Sequence, residues 1–382
     1  MKIAIIREEC SFTKGGAERY AANLCNCLCE LGHQVWLLAA TAGQGLNPAI
    51  THVPVAVNRT TSASRTLSFH RNAQKAVASL PVDRVFALSR SFPADAFRVS
   101  DPIHRYWMAI RYPGKVHRFL QTLNPRHRAI LDLEGAIFNP ENTRCIVTNS
   151  ALSKRIIGEH YTFPAERIHV VYNGVDLNKF SPATENSGVP NDGEVRLLFV
   201  GQDFKRKGLA PLIRAMADLK AADVRCRLRV IGRDRPAPYM ALAKELGVDG
   251  LIRFEEASGK IHEAYRAADL MVFPTLYDPF ANVCLESLAC GLPVLTTTTN
   301  GSFEVITEGE DGYVVDGGID GLAERLAEKI RVFCALPPDR RVAMRTSART
   351  KAEGFTIAQN ARTIVGVFDA LSAGTANERS AT

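Results

Sequence analysis

No stretch of this chain approaches the roughly 20 consecutive apolar residues that a membrane span requires. The apolar run that opens it, Ile3-Ala4-Ile5-Ile6, stops at Arg7. That run is too short for the apolar core of a secretory signal, so the expectation is a cytosolic chain. The G-x-G-x-x-G fingerprint of dinucleotide folds is missing too, which argues against NAD. The chain carries a net charge of +7, but no helix-turn-helix, zinc or RNA-binding motif accompanies it, which argues against a nucleic-acid partner. Cysteine is present without organisation: nine residues, an odd number, mostly within apolar stretches. Cys25, Cys27 and Cys29 alternate along a predicted helix, so Cys27 faces away from the other two, and no second ligand cluster stands nearby. They read as reduced packing residues, and no metal site is expected.

What is there describes an ordinary globular protein. At 382 residues, 46% hydrophobic and 23% charged, the chain is long enough for two cores. Ile3–Ile6 reads as a strand, followed by a loop holding Gly15-Gly16, a helix with Leu24, Leu28 and Leu31 on one face, and a second strand at Val35–Ala39. This is a βαβ unit. The paired glycines fit either an ordinary tight turn or a loop whose backbone comes close to a phosphate or sugar. Further strands are expected at Arg84–Leu88 and Cys145–Thr148, and the polar stretch Ser181 to Gly193 reads as an interdomain linker. A second alternating series follows, with strands at Leu197–Val200, Leu228–Ile231, Ile252–Phe254 and Leu270–Phe273. Its helices lie over Leu209–Leu219, Tyr239–Leu246 and His262–Ala268. The expected fold class is therefore α/β, with two Rossmann-like doubly wound domains facing across a cleft. The domains would cover 1–175 and 176–356. A last helix at about 357–371 would pack on either, before a frayed polar tail.

Two stretches of the second series carry chemistry. Gly201-Gln202-Asp203-Phe204-Lys205-Arg206-Lys207-Gly208 places three basic residues between a strand and a helix, at the edge where open α/β sheets bind ligands. Arg206 can fork onto phosphate oxygens and Lys207 supplies a compact charge, although such runs alone are more often solvated turns. The second stretch sets Asp278 in a Pro-containing loop and Glu286, after seven intervening residues, inside a helical pattern that Gly291 and Pro293 end. Carboxylates accept paired hydrogen bonds from vicinal diols, and a helix start offers N–H groups to oxygens, which together suit a sugar nucleotide.

Gly15-Gly16, Tyr172-Asn173-Gly174-Val175-Asp176, the Gly201–Gly208 loop, Ala267-Ala268-Asp269 and the Asp278–Pro293 stretch occur in that order. Over nearly the whole chain they resemble the GT-B retaining glycosyltransferases of family 4. The Arg-Lys-Gly loop, Val99-Ser100-Asp101 and the basic region after it resemble the branch that adds glucose, from UDP-glucose, to the inner-core heptose of bacterial lipopolysaccharide. The resemblance implies that Gly15 and Gly16 approach the donor β-phosphate and sugar while Arg206 and Lys207 neutralise the pyrophosphate. It implies that Glu286 holds the ribose hydroxyls, and that Asn173, in the second of these motifs, belongs to the substrate-binding residues. Asp278 with the backbone of Phe280, Ala281, Asn282 and Val283 would take the transferred sugar, and Asp101 would stand on the acceptor side. The family usually has Glu where this chain has Asp278, about one methylene shorter.

The implied chemistry is transfer with retention. Lys207 and Arg206 stabilise charge on the departing diphosphate, and that phosphate takes the acceptor proton on the same face. No carboxylate stands out as a double-displacement nucleophile. A metal-dependent transferase would need D-x-D after a strand. The nearest match, Asp132-Leu133-Glu134, lies in a helical pattern and reads as a solvated face, so no cofactor or metal is expected. Between Arg59 and Arg155 sixteen Lys and Arg stand against six Asp and Glu. Basic residues and aromatics interleave over 103–128, which suits an anionic membrane surface or an anionic lipid-linked glycan acceptor. The chain would then sit on the inner face of the cytoplasmic membrane as a peripheral protein. The alternatives are a family 4 transferase with another donor or lipid-linked acceptor, a nucleotide-sugar epimerase, and a silent nucleotide-sugar-binding module; intact Lys207 and Glu286 speak against the last.

Overall fold

A computed structural model of the chain describes residues 1–183, 193–257 and 259–380, with side chains described as far as Ser372. The expected linker therefore lies largely outside the described residues. The chain divides into two compact units, Met1–Tyr172 with Ile357–Thr382, and Asn173–Thr356. The junction falls at 172 and not 175, because Val175 N–H already bonds to Phe355 O of the second unit at 2.8 Å.

The strands of the first unit are β1 (Lys2–Ile6), β2 (Glu9–Cys10), β3 (Gln34–Ala39), β4 (Thr41–Ala42), β5 (Thr51–Pro54), β6 (Arg84–Ala87), β7 (Ala94–Val99), β8 (Thr143–Thr148) and β9 (Ile168–Val170). Seven of them form one parallel sheet in the order β5-β3-β1-β6-β7-β8-β9, and β2 pairs separately with β4. Ile3, Ala4, Ile5 and Ile6 are all fully buried, as expected when helices cover both faces of a parallel sheet. The second unit holds β10 (Val195–Val200), β11 (Cys226–Ile231), β12 (Ile252–Glu255), β13 (Leu270–Phe273), β14 (Val294–Thr297) and β15 (Gly312–Val315). Their order is β12-β11-β10-β13-β14-β15, again parallel. Each sheet is doubly wound: it grows outward from its first strand on one side, then restarts on the other. The switch points lie between β1 and β6 and between β10 and β13, where such sheets leave a crevice at their strand C-termini.

Helices of the first unit are α1 (Gly16–Glu30), α2 (Ser62–Val77), α3 (His104–Arg111), α4 (Lys115–Thr122), α5 (Pro125–Ile137) and α6 (Ala151–His160). The second unit has α7 (Leu209–Ala221), α8 (Ala237–Glu245), α9 (Ile261–Ala267), α10 (Asn282–Ala289), α11 (Leu322–Cys334) and α12 (Pro338–Glu353). The chain then returns to the first unit as α13 (Ile357–Ser380). Ala361, Ile364 and Phe368 of α13 are fully buried with Leu24, Leu28 and Phe86, and the rings of Phe86 and Phe368 meet edge-on at 5.4 Å. Each such large side chain contributes about 1.5–3 kcal/mol. The helix continues past the expected end near 371. Polarity alone does not stop a helix, and Ala373, Ala376, Glu378 and Arg379 favour one.

Candidate active site

The two loops at the switch point of the second unit bring the basic run and the first carboxylate together. Between β10 and α7, Gly208 adopts φ +75°, and a Cβ there would stand 1.9 Å from Pro274 O. Only glycine lets the two loops lie this close. Leu276 N–H and the Thr275 hydroxyl both donate to Arg206 O, at 2.8 and 3.0 Å, and tie the loops together. Lys207 is 8% and Asp278 9% exposed, and Lys207 Nζ donates to Asp278 Oδ2. Burial pushes the Lys207 ammonium down from its usual pKa, and the Asp278 charge opposes that. Arg206 is also engaged: Nε donates to Asp203 Oδ2 at 2.9 Å, Nη1 donates to Tyr277 O at 3.1 Å, and Nη1 stands 3.8 Å from Asp278 Oδ2. The sequence separated a phosphate-binding pair from a sugar-binding carboxylate; the structure makes them one cluster, with Lys207 and Asp278 buried and Arg206 partly exposed.

Helix α10 begins directly after that carboxylate. Its N-cap position is Ala281, which has no side-chain oxygen to offer. Asn300, fully buried just beyond β14, serves instead: its Oδ1 accepts from Ala281 N at 3.1 Å and from Ser302 N at 3.3 Å. Asn300 Nδ2 donates to Thr296 Oγ1 at 2.9 Å, which fixes the amide's orientation. Phe280 N–H is taken by Asp278 Oδ1 at 3.1 Å. The expectation of four backbone groups open to a sugar therefore narrows. Phe280 and Ala281 are held by side chains, whereas the N–H groups of Asn282 and Val283 have no partner among the described residues. Asn173 Nδ2 donates to Asn282 Oδ1 and places the first motif of this unit at the same helix start. One turn further, Glu286 is half-buried and its Oε2 accepts from the Tyr265 hydroxyl at 3.0 Å. Burial and the Glu286 charge push the Tyr265 phenol well up, so it stays a donor.

Asn300 and Tyr265 were not picked out from sequence. The signal for Asn300 was a polar residue closing a Thr-rich strand end; for Tyr265 it was an aromatic on the inward face of α9, beside buried Ala264.

In the first unit Gly15 and Gly16 are exposed at the N-terminus of α1, which lacks a side-chain cap. The φ of Gly15 is −65°, which any residue adopts, and the room a Cβ would need there is held by Glu18, whose Oε2 would stand 2.7 Å from it. Asp101 lies after β7, 47% exposed at its side chain, with Arg90 Nη1 3.5 Å from it. Two expectations fail here. Glu134 is no solvated residue: it is buried and accepts from His104 N (2.6 Å), Arg105 N (3.0 Å) and the Tyr161 hydroxyl (2.5 Å). It caps α3, whose own N-cap Ile103 cannot, while Asp132 is exposed as expected. Nor is all of 103–113 an open aromatic face, since Ile103, His104 and Met108 are buried and Tyr106 packs against His160 at 5.7 Å. The exposed face belongs to α4 and the residue after it. Val116, Phe119, Leu120 and Leu123 are 76%, 65%, 55% and 61% exposed at one-face helical spacing. No helix among the described residues is long and apolar enough to cross a membrane.

Comparison with known proteins agrees with this fold. A profile of glycosyl transferases group 1 matches residues 181–351, and one of glycosyltransferase family 4 matches residues 14–179. The D-inositol 3-phosphate glycosyltransferase of Corynebacterium kroppenstedtii is 32% identical over 247 residues, 60% of this chain and 54% of that protein. The chain thus spans about half the length of that relative. The lipopolysaccharide glucosyltransferase WaaG of Escherichia coli K12 is 27% identical over 317 residues, 80% of this chain and 82% of that one. The crystal structure of WaaG, a glycosyltransferase involved in lipopolysaccharide biosynthesis, superposes with a TM-score of 0.79 at 25% identity, covering 95% of this chain and 98% of that one. With two doubly wound units, the Lys207–Asp278–Glu286 constellation and both profile matches, the chain belongs to the GT-B glycosyltransferases of group 1, family 4.

Proposed function

We propose that the chain is a retaining hexosyltransferase that moves glucose from UDP-glucose to a heptose of the lipopolysaccharide inner core. The observation that carries this reading is the Arg206–Lys207–Asp278 cluster, with Lys207 and Asp278 buried, beside the N-terminus of α10. Lys207 and Arg206 meet the donor diphosphate, and the N–H groups of Asn282 and Val283 add the positive end of a helix. The diphosphate takes over Lys207, and Asp278 is released to accept hydrogen bonds from hydroxyls of the transferred sugar. Glu286, steadied by Tyr265, receives the ribose diol. As the glycosyl–phosphate bond breaks, charge grows on the leaving phosphate where these fixed cations lie, so they bind the transition state better than the ground state. The leaving phosphate then accepts the acceptor proton on the same face, which retains configuration.

Arg206 and Lys207 supply the countercharge that a metal would otherwise bring, so donor binding needs no metal. The acceptor is a lipid-linked glycan, and the apolar face of α4, flanked by Arg111, Lys115 and Arg118, rests on the anionic inner surface of the cytoplasmic membrane. Similarity to inositol-phosphate glycosyltransferases supports a second reading, with a small phosphorylated acceptor.

Titrating UDP-glucose into the protein with and without EDTA, for wild type and Lys207→Ala, tests the donor half. The expected result is metal-independent binding and a kcat lowered about 10²-fold or more in the variant. Strict dependence on Mg²⁺ or Mn²⁺ would overturn the assignment.

A further inference from the structure

Two neighbouring loops edge the crevice of the second unit: 201–208, between β10 and α7, and 232–236, between β11 and α8. They pack as one platform. Gly232 leaves no room for a side chain, since a Cβ there would stand 2.0 Å from Gly201 O. Phe204, buried on the first loop, meets the Tyr239 ring edge-on at 5.5 Å, and its N–H donates to Asp234 Oδ2 at 2.7 Å. The platform is unbalanced in charge. Lys205, Arg206, Lys207, Arg233 and Arg235 stand on it against Asp203 and Asp234. Both carboxylates are already engaged: Asp203 accepts from Arg206 N and Nε at 3.3 and 2.9 Å, and Asp234 from Phe204 N and Arg235 N, each at 2.7 Å. On the adjoining strand end, Glu255 is held by Arg229 and Arg253 at 2.6 and 2.9 Å. Lys205, Arg233 and Arg235 are exposed and form no ion pair among the described residues. Glu256, exposed on the loop after β12, offsets one of these charges at most.

We propose that Lys205, Arg233 and Arg235 form a steering field, which draws the anionic diphosphate of the donor to the crevice without bonding to it in the final complex. The proposal rests on the transferase reading above and adds how the donor reaches that site. Lys207 works at contact: it is buried, its charge is spent on Asp278, and little of its field reaches solvent. The three exposed cations are its complement. With no carboxylate to neutralise them, their field extends outward over the mouth of the crevice. Fully hydrated charges gain little from a direct ion pair, so they act on arrival and not on residence. The packing of the two loops keeps them at the rim, because Asp203 and Asp234 are tied down and offer them nothing to fold onto. Focused charge of one sign raises on-rates by about 10–10³, and three of the five platform cations should account for about a factor of ten of that.

The test uses the full chain with UDP as the probe. Calorimetry gives Kd and ³¹P line-shape analysis of UDP gives koff, so kon follows from their ratio. The proteins are wild type, the triple variant Lys205→Gln, Arg233→Gln, Arg235→Gln, and the same three positions changed to Glu. Each is measured at about 0.01 M and about 1 M salt, where the Debye length is about 30 and about 3 Å. At low salt kon should fall about tenfold in the glutamine variant and further in the glutamate variant, with koff unchanged. At high salt the three proteins should converge. Equal kon in all three at low salt would overturn the proposal. So would a rise in koff in place of the fall in kon, which would make these residues direct ligands of the diphosphate, or a loss that persists at high salt. Failure of wild type to bind UDP would instead remove the transferase reading beneath it.

Discussion

Asp278→Asn should weaken the empty protein and yet enlarge its response to UDP. Lys207 and Asp278 are each under a tenth exposed, and Arg206 Nη1 stands 3.8 Å from the same carboxylate oxygen. At about that separation a unit charge pair is worth about 4 kcal/mol at an effective dielectric constant near 20. Removing one partner of a buried pair costs about 3–5 kcal/mol, since the other is left uncompensated. The amide still offers an oxygen to Phe280 N–H, now bonded at 3.1 Å, so the loop keeps its shape and the loss should lie near the lower end. For a unit of this size, about 2–4 °C per kcal/mol translates to a melting-point drop of roughly 6–12 °C. UDP restores a negative partner to Lys207, so most of that drop should vanish at saturating UDP, while glucosyl transfer stays impaired. Differential scanning calorimetry of wild type and variant, with and without UDP, is the assay. Equal drops in both conditions would show that the diphosphate does not replace Asp278, and the account of Lys207 would fall.

Other consequences are checked more quickly. Tyr265→Phe removes the donor 3.0 Å from Glu286; donor KM should rise about three- to tenfold at unchanged kcat, in line with a bond of about 0.5–1.5 kcal/mol, and an unchanged KM would deny Tyr265 its positioning role. Gly208→Ala must push Pro274 O away from 1.9 Å and hold a left-handed φ; loss of both UDP binding and a cooperative melt of the second unit is expected, and a wild-type melt would contradict the loop packing. Burial, with Arg90, His127 and Arg126, pushes His104 down to about 3, so the unfolded chain binds more protons below an ordinary pKa near 6.5 and stability should fall as pH drops from there toward 3. His104→Gln should flatten that slope in urea melts across this range; an identical slope would refute it. Replacing Arg105, Arg111, Lys115 and Arg118 should reduce sedimentation with anionic vesicles at low salt, each cation being worth about 1 kcal/mol, while UDP affinity stays unchanged; wild type ignoring such vesicles would end the membrane reading.

The sheets were legible because parallel strands buried on both faces print continuous apolar runs. Ile3–Ile6 and Leu270–Phe273 are found where the sequence placed them. β7 was less legible, since Ala94–Val99 carries Asp95 and Arg98 within a strand whose ends are apolar. Arg98 is buried under the ring of Tyr20 at 3.9 Å, an arrangement no local pattern announces. The same limit applies to the site. Lys207, Asp278 and Glu286 stand out through spacing and residue type. Asn300 acts on a helix that starts 18 residues earlier (300 against 282), and Glu134 caps a helix 30 residues before it. Capping from another element leaves no mark in the neighbouring sequence, so Glu134 reads as one more charge on a helix surface. The α3 aromatics misled for a related reason, because composition records that rings and cations interleave, not which of them turn inward.

The return of α13 to the first unit bears on how the chain is made. Residues 173–356 form an uninterrupted stretch that contains every strand of its own sheet. As synthesis proceeds from the N-terminus, this middle segment can complete its core while the segment begun first cannot. The earlier sheet must wait for Ile364 and Phe368, which follow the whole middle segment, to cover Leu24, Leu28 and Phe86. Until those residues emerge, the nascent chain carries an oily strip that its own later residues will cover. A premature stop after Thr356 would leave that strip bare for good, and such a fragment should aggregate even though every residue of the donor site has been made.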